Sequence, residues 1–171
     1  MSRVPALLLS VLLAAGCAGN IVPLEVDPSL MQGEAFATVQ GDRFLGAIVP
    51  AERVEDQTYF FGDWHGFWTP SPDDIRSLED GLPSALADAE CDPYIREHLA
   101  SYRRQYVGVV VDGRRRILVN AFRFWEGNKP ESHYYWLHQY VFVNDGGYYY
   151  WRIQFDMHTK RYLEFSQNGV A

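Results

Sequence analysis

The stretch YVGVVVDGRRRILVNAFRF, residues 106–124, decides the fold. Valine, isoleucine, tyrosine and phenylalanine dominate its two halves, and these residue types favour β-strands. Asp112 and Gly113 stand between the halves, and an Asp-Gly pair favours a tight two-residue hairpin turn. The stretch therefore predicts two antiparallel strands joined at this dipeptide.

The rest of the C-terminal half extends this hairpin. Runs rich in aromatic and β-branched residues are separated by turn-rich stretches at 144–147 and 158–160. The three further strands predicted from them cover residues 134–143, 148–157 and 161–165. Together with the hairpin they predict an antiparallel meander of about five strands.

Two helices are predicted before the meander. Ser71 and Asp92 are good N-cap residues, and a proline follows each of them at the first helical position. Apolar residues recur after both caps at helical spacing. They are Ile75, Leu78, Leu82 and Leu86 in the first helix, and Ile95, Leu99, Tyr102 and Tyr106 in the second. This apolar stripe is expected to cover one face of the sheet, which predicts an α+β fold with extra short strands at 34–39, 44–49 and 59–61.

The N-terminus predicts export and lipidation. A short apolar run after Arg3 is followed by Leu13-Ala14-Ala15-Gly16-Cys17, which resembles the lipobox of bacterial lipoproteins. The run is too short to span a bilayer as a helix, which needs roughly 20 apolar residues. We therefore expect residues 1–16 to be a signal peptide, 17–33 a lipidated tether and 34–171 a single α+β domain. Acyl chains on Cys17 would anchor the protein in the cell envelope. In a Gram-negative host the periplasmic face of the outer membrane is expected.

Charge limits the possible partners. The formal net charge is −7, and binding to nucleic acid depends on neutralising phosphates, so a nucleic acid is not expected as a partner. Adjacent arginines occur in two small groups, 103–104 and 114–116, which the predicted strand places at opposite ends. Solvated turns are the simplest interpretation of both groups.

No catalytic motif is found in the sequence. A nucleophile elbow, a phosphate-binding glycine loop and the HExxH zinc pattern are all missing. His133 and His138 are five residues apart, which places them on opposite faces of a strand. No cofactor and no metal are therefore expected.

Alternating residues on two predicted strands suggest a binding surface. One face would carry aromatic rings beside histidine and arginine, a combination suited to stacking on a sugar or a peptide. The candidate ligand-binding residues are Trp136, His138, Tyr140, Tyr148, Tyr150 and Arg152. Alternatively, residues 34–68 cover this face and make it a second core.

The region from about residue 68 to 171 resembles a family of bacterial exported proteins that has no assigned activity. The matching pieces are Trp68-Thr69-Pro70, Arg104-Gln105-Tyr106-Val107-Gly108, Asn120-Ala121-Phe122, Asp145-Gly146-Gly147 and Asn168-Gly169-Val170-Ala171. The resemblance implies one folded unit and supplies no catalytic residues. Taken together, the sequence favours a membrane-anchored envelope lipoprotein with a non-catalytic binding or structural role, acting on an envelope protein or glycan. A small envelope hydrolase acting on glycans or peptides is the alternative.

Overall fold

The structure, a computed structural model, describes residues 34–55, 64, 66–124 and 135–170. The predicted signal peptide, the tether with Cys17 and the predicted strand at 59–61 lie outside these residues. The strands are β1 (Ala37–Gly41), β2 (Phe44–Val49), β3 (Phe67–Trp68), β4 (Arg103–Val111), β5 (Arg114–Phe122), β6 (Tyr150–Asp156) and β7 (Tyr162–Gln167). The helices are α1 (Ala51–Glu55), α2 (Pro72–Asp88) and α3 (Pro93–Glu97).

The seven strands of the described residues belong to one mixed sheet. Six of them follow the order β1-β2-β4-β5-β6-β7, and the short β3 lies off this path. β2 runs parallel to the first half of β4, and the short β3 pairs antiparallel with Gly108 and Val109 further along β4. The remaining neighbours are antiparallel. The fold is therefore mixed α+β as predicted, but it is not a purely antiparallel meander.

The central hairpin is confirmed. β4 and β5 pair in register from Arg103 opposite Phe122 to Val111 opposite Arg114. Asp112 and Gly113 have φ angles of 50° and 72°, so both adopt the left-handed conformation that a tight hairpin turn needs.

The first predicted helix is also confirmed. The Ser71 hydroxyl accepts a hydrogen bond from the Asp74 amide, and the Asp74 carboxylate accepts one from the Ser71 amide, which completes a capping box. α2 then continues for 17 residues, through Gly81 and Pro83. The second helix is much shorter than its apolar spacing predicted. Asp92 caps it as expected, but it ends at Glu97 because β4 already begins at Arg103.

The apolar stripe packs on one face of the sheet, which we call the helix face. Ile75, Leu78, Leu82, Leu86 and Ile95 are fully buried there. They contact alternate residues of the strands, among them Tyr106, Val119, Trp151, Ile153 and Phe155. Leu99 lies in a 3-10 turn and is only partly buried.

A second core lies on the opposite face of the sheet. Phe36, Val54, Trp136 and Tyr140 are buried there against β2, β4 and β5. Phe36 directly precedes β1, and Val54 lies on α1. Trp136 and Tyr140 belong to residues 135–143, which we call the cover segment. The cover segment begins with a helical turn and forms no strand, so the strand predicted at 134–143 is wrong over the described residues.

Candidate functional site

The predicted binding face is not an open surface. Trp136, His138 and Tyr140 are only 4%, 6% and 5% exposed, and the Trp136 and Tyr140 rings are part of the second core. Tyr148, Tyr150 and Arg152 stay partly exposed. The prediction that these six residues share one exposed sheet face is therefore wrong.

The reason lies in the pairing of β5. β4 occupies one edge of this strand and β6 the other, with Ile117 opposite both Gly108 and Phe155. No edge is left for residues 134–143 to join as the next strand. The cover segment lies across the second face instead, with the Trp136 ring 6.1 Å from the Phe122 ring. β1 and β2 extend the edge of the sheet, while Phe36 and Val54 help to cover this face, so the alternative prediction for residues 34–68 is confirmed in part.

Two buried amide side chains hold the cover segment in place. Gln105 Nε2 donates to the carbonyls of Trp136 and Gln139, each at 2.7 Å, and Gln105 Oε1 accepts from the Val141 amide at 2.8 Å. Asn120 Nδ2 donates to the Val141 carbonyl at 2.8 Å. We call Gln105 and Asn120 the amide pair. It gives the backbone of the cover segment the partners that a neighbouring strand would otherwise supply.

A second polar cluster is buried under α2. The Tyr106 hydroxyl donates to Glu79 Oε1 at 2.7 Å, and Arg104 Nε lies 3.3 Å from the same oxygen. Burial raises the pKa of Glu79, while the charge of Arg104 opposes this shift. All three side chains are almost completely shielded from solvent. This cluster can stabilise the packing of α2, but no substrate can reach it without unfolding.

Four partly exposed rings meet at the end of the sheet where β4 begins and β5 ends. His98 stacks on Tyr94 with ring centroids 3.9 Å apart and planes inclined by 16°. Tyr94 contacts Tyr148 at 4.5 Å, and Tyr148 contacts Tyr149 at 4.7 Å. We call these four rings the aromatic row. Arg123 adds a cation, with its guanidinium 5.3 Å from the centre of the Tyr94 ring.

Hydrogen bonds from the sheet fix the position of the aromatic row. The buried Tyr102 hydroxyl donates to the Tyr148 carbonyl at 2.7 Å, and the Arg123 amide donates to the Tyr149 carbonyl at 3.0 Å. The Arg123 guanidinium also donates to the Tyr94 hydroxyl. The row is therefore held on the sheet before any ligand binds, which lowers the entropy cost of binding.

The aromatic row is suited to stacking and hydrogen bonding. The hydrogen bond with the Tyr149 hydroxyl raises the pKa of Tyr148, and burial and the charge of Asp92 act in the same direction. The Tyr148 hydroxyl is consequently neutral at physiological pH and can donate and accept hydrogen bonds. His98 Nδ1 lies 3.1 Å from the Tyr94 carbonyl, which leaves Nε2 as the second polar atom of that ring.

Only Tyr148 of the aromatic row was among the predicted site residues. Tyr94, His98 and Tyr149 were missed, as was Arg123, because α3, the end of β5 and the turn before β6 are far apart in sequence. One local signal pointed to part of the row. Tyr94 and His98 are four residues apart after a strong helix start, and this spacing places them on one side of the helix.

The described residues contain no group of three or more histidine, cysteine, aspartate or glutamate side chains that could hold a metal ion. None of the helices within the described ranges is long and apolar enough to cross a membrane. No family model, curated protein or solved structure matches the chain. The resemblance to a family of exported proteins therefore stays a prediction.

Proposed function

We propose that the protein is a membrane-anchored envelope lipoprotein that binds an envelope glycan, without altering it chemically, through the aromatic row. The anchor part of this proposal rests on the lipobox-like sequence that ends at Cys17. The binding part rests on one observation. Four partly exposed rings and one arginine converge from three segments and are fixed there by backbone hydrogen bonds.

The chemistry of the aromatic row favours a glycan. Sugar rings present apolar C–H faces and polar hydroxyl edges, so they are bound by aromatic rings whose edges carry hydrogen-bonding groups. Tyr94, Tyr148 and Tyr149 provide hydroxyls of this kind, and Arg123 provides a donor beside them. Asp92 lies close enough to influence the pKa of Tyr148 and can accept hydrogen bonds from sugar hydroxyls.

The binding part is tested by calorimetric titration of soluble peptidoglycan fragments into the chain that begins at residue 17. We expect Tyr148→Ala to weaken binding by at least about tenfold, because stacked rings act as anchors of a binding site. Tyr135→Ala is the matched control. Tyr135 is 49% exposed, and it lies on the cover segment outside the aromatic row.

Three outcomes would overturn the binding proposal. One is the absence of any binding heat with glycan fragments, and another is an equal loss of affinity in the Tyr135 and Tyr148 variants. The third is cleavage of the fragments by the wild type, which would favour the hydrolase alternative. The anchor is tested separately by membrane fractionation of cells that express wild type or Cys17→Ser. A variant that stays in the membrane fraction like the wild type contradicts lipid anchoring.

A further inference from the structure

Two turns that are distant in sequence meet at the end of the sheet opposite the aromatic row. The β4–β5 turn lies beside the β6–β7 turn, because Arg116 pairs with Asp156 and the Met157 amide donates to the Arg115 carbonyl at 3.1 Å. An open depression of about 450 Å³ lies between the two turns. Arg114 and Arg115 line it together with Met157 and His158, and Lys160 and Arg161 are exposed further along the β6–β7 turn. We call Arg114, Arg115, Lys160 and Arg161 the cationic end.

The acidic residues nearby offset only part of the charge of this end. The Asp156 carboxylate is buried, accepts hydrogen bonds from the amides of His158 and Thr159 at 2.9 and 2.8 Å, and interacts electrostatically with Arg114. Glu164 is paired with Arg116 at 3.0 Å. Asp112 at the hairpin tip is the remaining acidic side chain on these two turns. The cationic end is therefore locally positive in a chain whose formal net charge is −7.

The direction of β1 places the first described residues toward the same end of the sheet. β1 begins at Ala37, which lies opposite Ile48, and Ile48 lies opposite Tyr106. β1 runs antiparallel to β2, which is parallel to β4, so residues 34–36 precede β1 on the side of the β4–β5 turn. The residues between Cys17 and 34 span at most roughly 53 Å when fully extended.

We propose that the cationic end docks on anionic phospholipid headgroups. This inference rests on the proposed function in one respect, because lipid on Cys17 would bring the domain close to the membrane. Basic residues near a bilayer are attracted by its negative surface potential, and they reinforce a lipid anchor. Docking at this end directs the aromatic row away from the membrane, since Arg123 and Tyr149 lie at the opposite end of β5 and β6.

The test uses the chain from residue 17 with Cys17→Ser, so that no acyl chain contributes. Its binding to sedimented vesicles is measured with pure phosphatidylcholine and with phosphatidylcholine containing one third phosphatidylglycerol. We expect binding only to the anionic vesicles, with an affinity that falls as salt is raised. Arg114→Gln with Arg161→Gln should lower the partition coefficient by about thirtyfold, which corresponds to about fivefold for each cation removed.

The matched control is Arg43→Gln with Arg96→Gln. It makes the same change in net charge on exposed side chains outside the cationic end. Equal losses in the two double variants, or equal binding of the wild type to neutral and anionic vesicles, would overturn the proposal. So would displacement by dilute inorganic phosphate at constant ionic strength, which would indicate a discrete phosphate site. Because Cys17 and Tyr148 play no part in this measurement, a failed anchor or a failed glycan site leaves its result unchanged.

Discussion

Asn120 and Gln105 stand opposite each other on β5 and β4, and Asn120 Nδ2 donates to Gln105 Oε1 at 3.3 Å. The two amides also bond the backbone of the cover segment at four points. Residues 105 and 120 both belong to pieces on which the family resemblance rests. The two amides thus have a structural role in the second core.

Replacing Gln105 with leucine should destabilise the protein by about 3 kcal/mol or more. The variant keeps the approximate size of the side chain but leaves the Trp136 carbonyl, the Gln139 carbonyl and the Val141 amide without their partner. Each polar group left unsatisfied in a core costs roughly 1–3 kcal/mol. Urea unfolding measures the change, with Gln139→Leu as a control because the Gln139 side chain is exposed. A loss below about 1 kcal/mol would show that the amide pair does not hold the cover segment.

Leu82→Ala and Leu99→Ala should differ in their effect on stability. Leu82 is completely buried between α2 and the sheet, and such truncations cost roughly 2–5 kcal/mol. Leu99 is partly exposed in its 3-10 turn, so its truncation should cost about 1 kcal/mol. Both free energies of unfolding come from the same denaturant titration. Equal losses would mean that the two leucines are buried to the same extent in solution.

The features that the sequence predicted correctly are those encoded over a few residues. The hairpin at Asp112, the caps at Ser71 and Asp92 and the apolar stripe of α2 all depend on local spacing. The errors come from long-range pairing. Alternating residues at 135–143 have the pattern of a strand, yet β6 already occupies the edge of β5 that this strand would need. The parallel contact of β2 with β4 likewise leaves no local signal in either strand.

The candidate site shows the same limit. Trp136 and Tyr140 attracted attention as large rings next to polar residues, but the amide pair draws their segment onto the sheet and buries them. The aromatic row combines residues from α3, β5 and the turn before β6. Its formation depends on the sheet register, which a single sequence does not reveal.

Glu79→Gln should change how stability depends on pH. Burial raises the pKa of Glu79 above its ordinary 4.5 in the folded protein, so the folded state holds this proton more tightly than the unfolded chain. The stability that Glu79 contributes is therefore present below the unfolded pKa and is lost as the pH rises through the folded pKa. Glutamine cannot titrate, and it can still accept the hydrogen bond from Tyr106. Urea unfolding at a series of pH values should show similar stabilities in acid and a more stable variant near neutrality.

The control for this experiment is Glu97→Gln, because Glu97 is exposed on α3 and should leave the pH profile of the wild type unchanged. If the wild type is instead the more stable protein near neutral pH, the attraction of Arg104 outweighs the burial of Glu79. The sign of the difference between the two proteins therefore decides which effect dominates in this buried cluster.

Asn168→Ala should loosen the turn that carries Tyr148 and Tyr149. Asn168 Nδ2 donates to the carbonyls of Val143 and Asp145, at 2.7 and 2.9 Å, and the next residue accepts a hydrogen bond from the Gly147 amide at 2.9 Å. Without the side-chain amide, this contact between the C-terminal residues and the turn opens more often. Hydrogen exchange should detect the change, because exchange at Gly147 follows the free energy of local opening. A loss of about 1.4–3 kcal/mol from two hydrogen bonds corresponds to exchange that is roughly tenfold to a hundredfold faster.

Ser166→Ala, an exposed substitution nearby on β7, should leave the rate unchanged. Equal exchange rates in the wild type and the Asn168 variant would show that β6 alone fixes the turn, and the aromatic row would then not depend on the C-terminal residues.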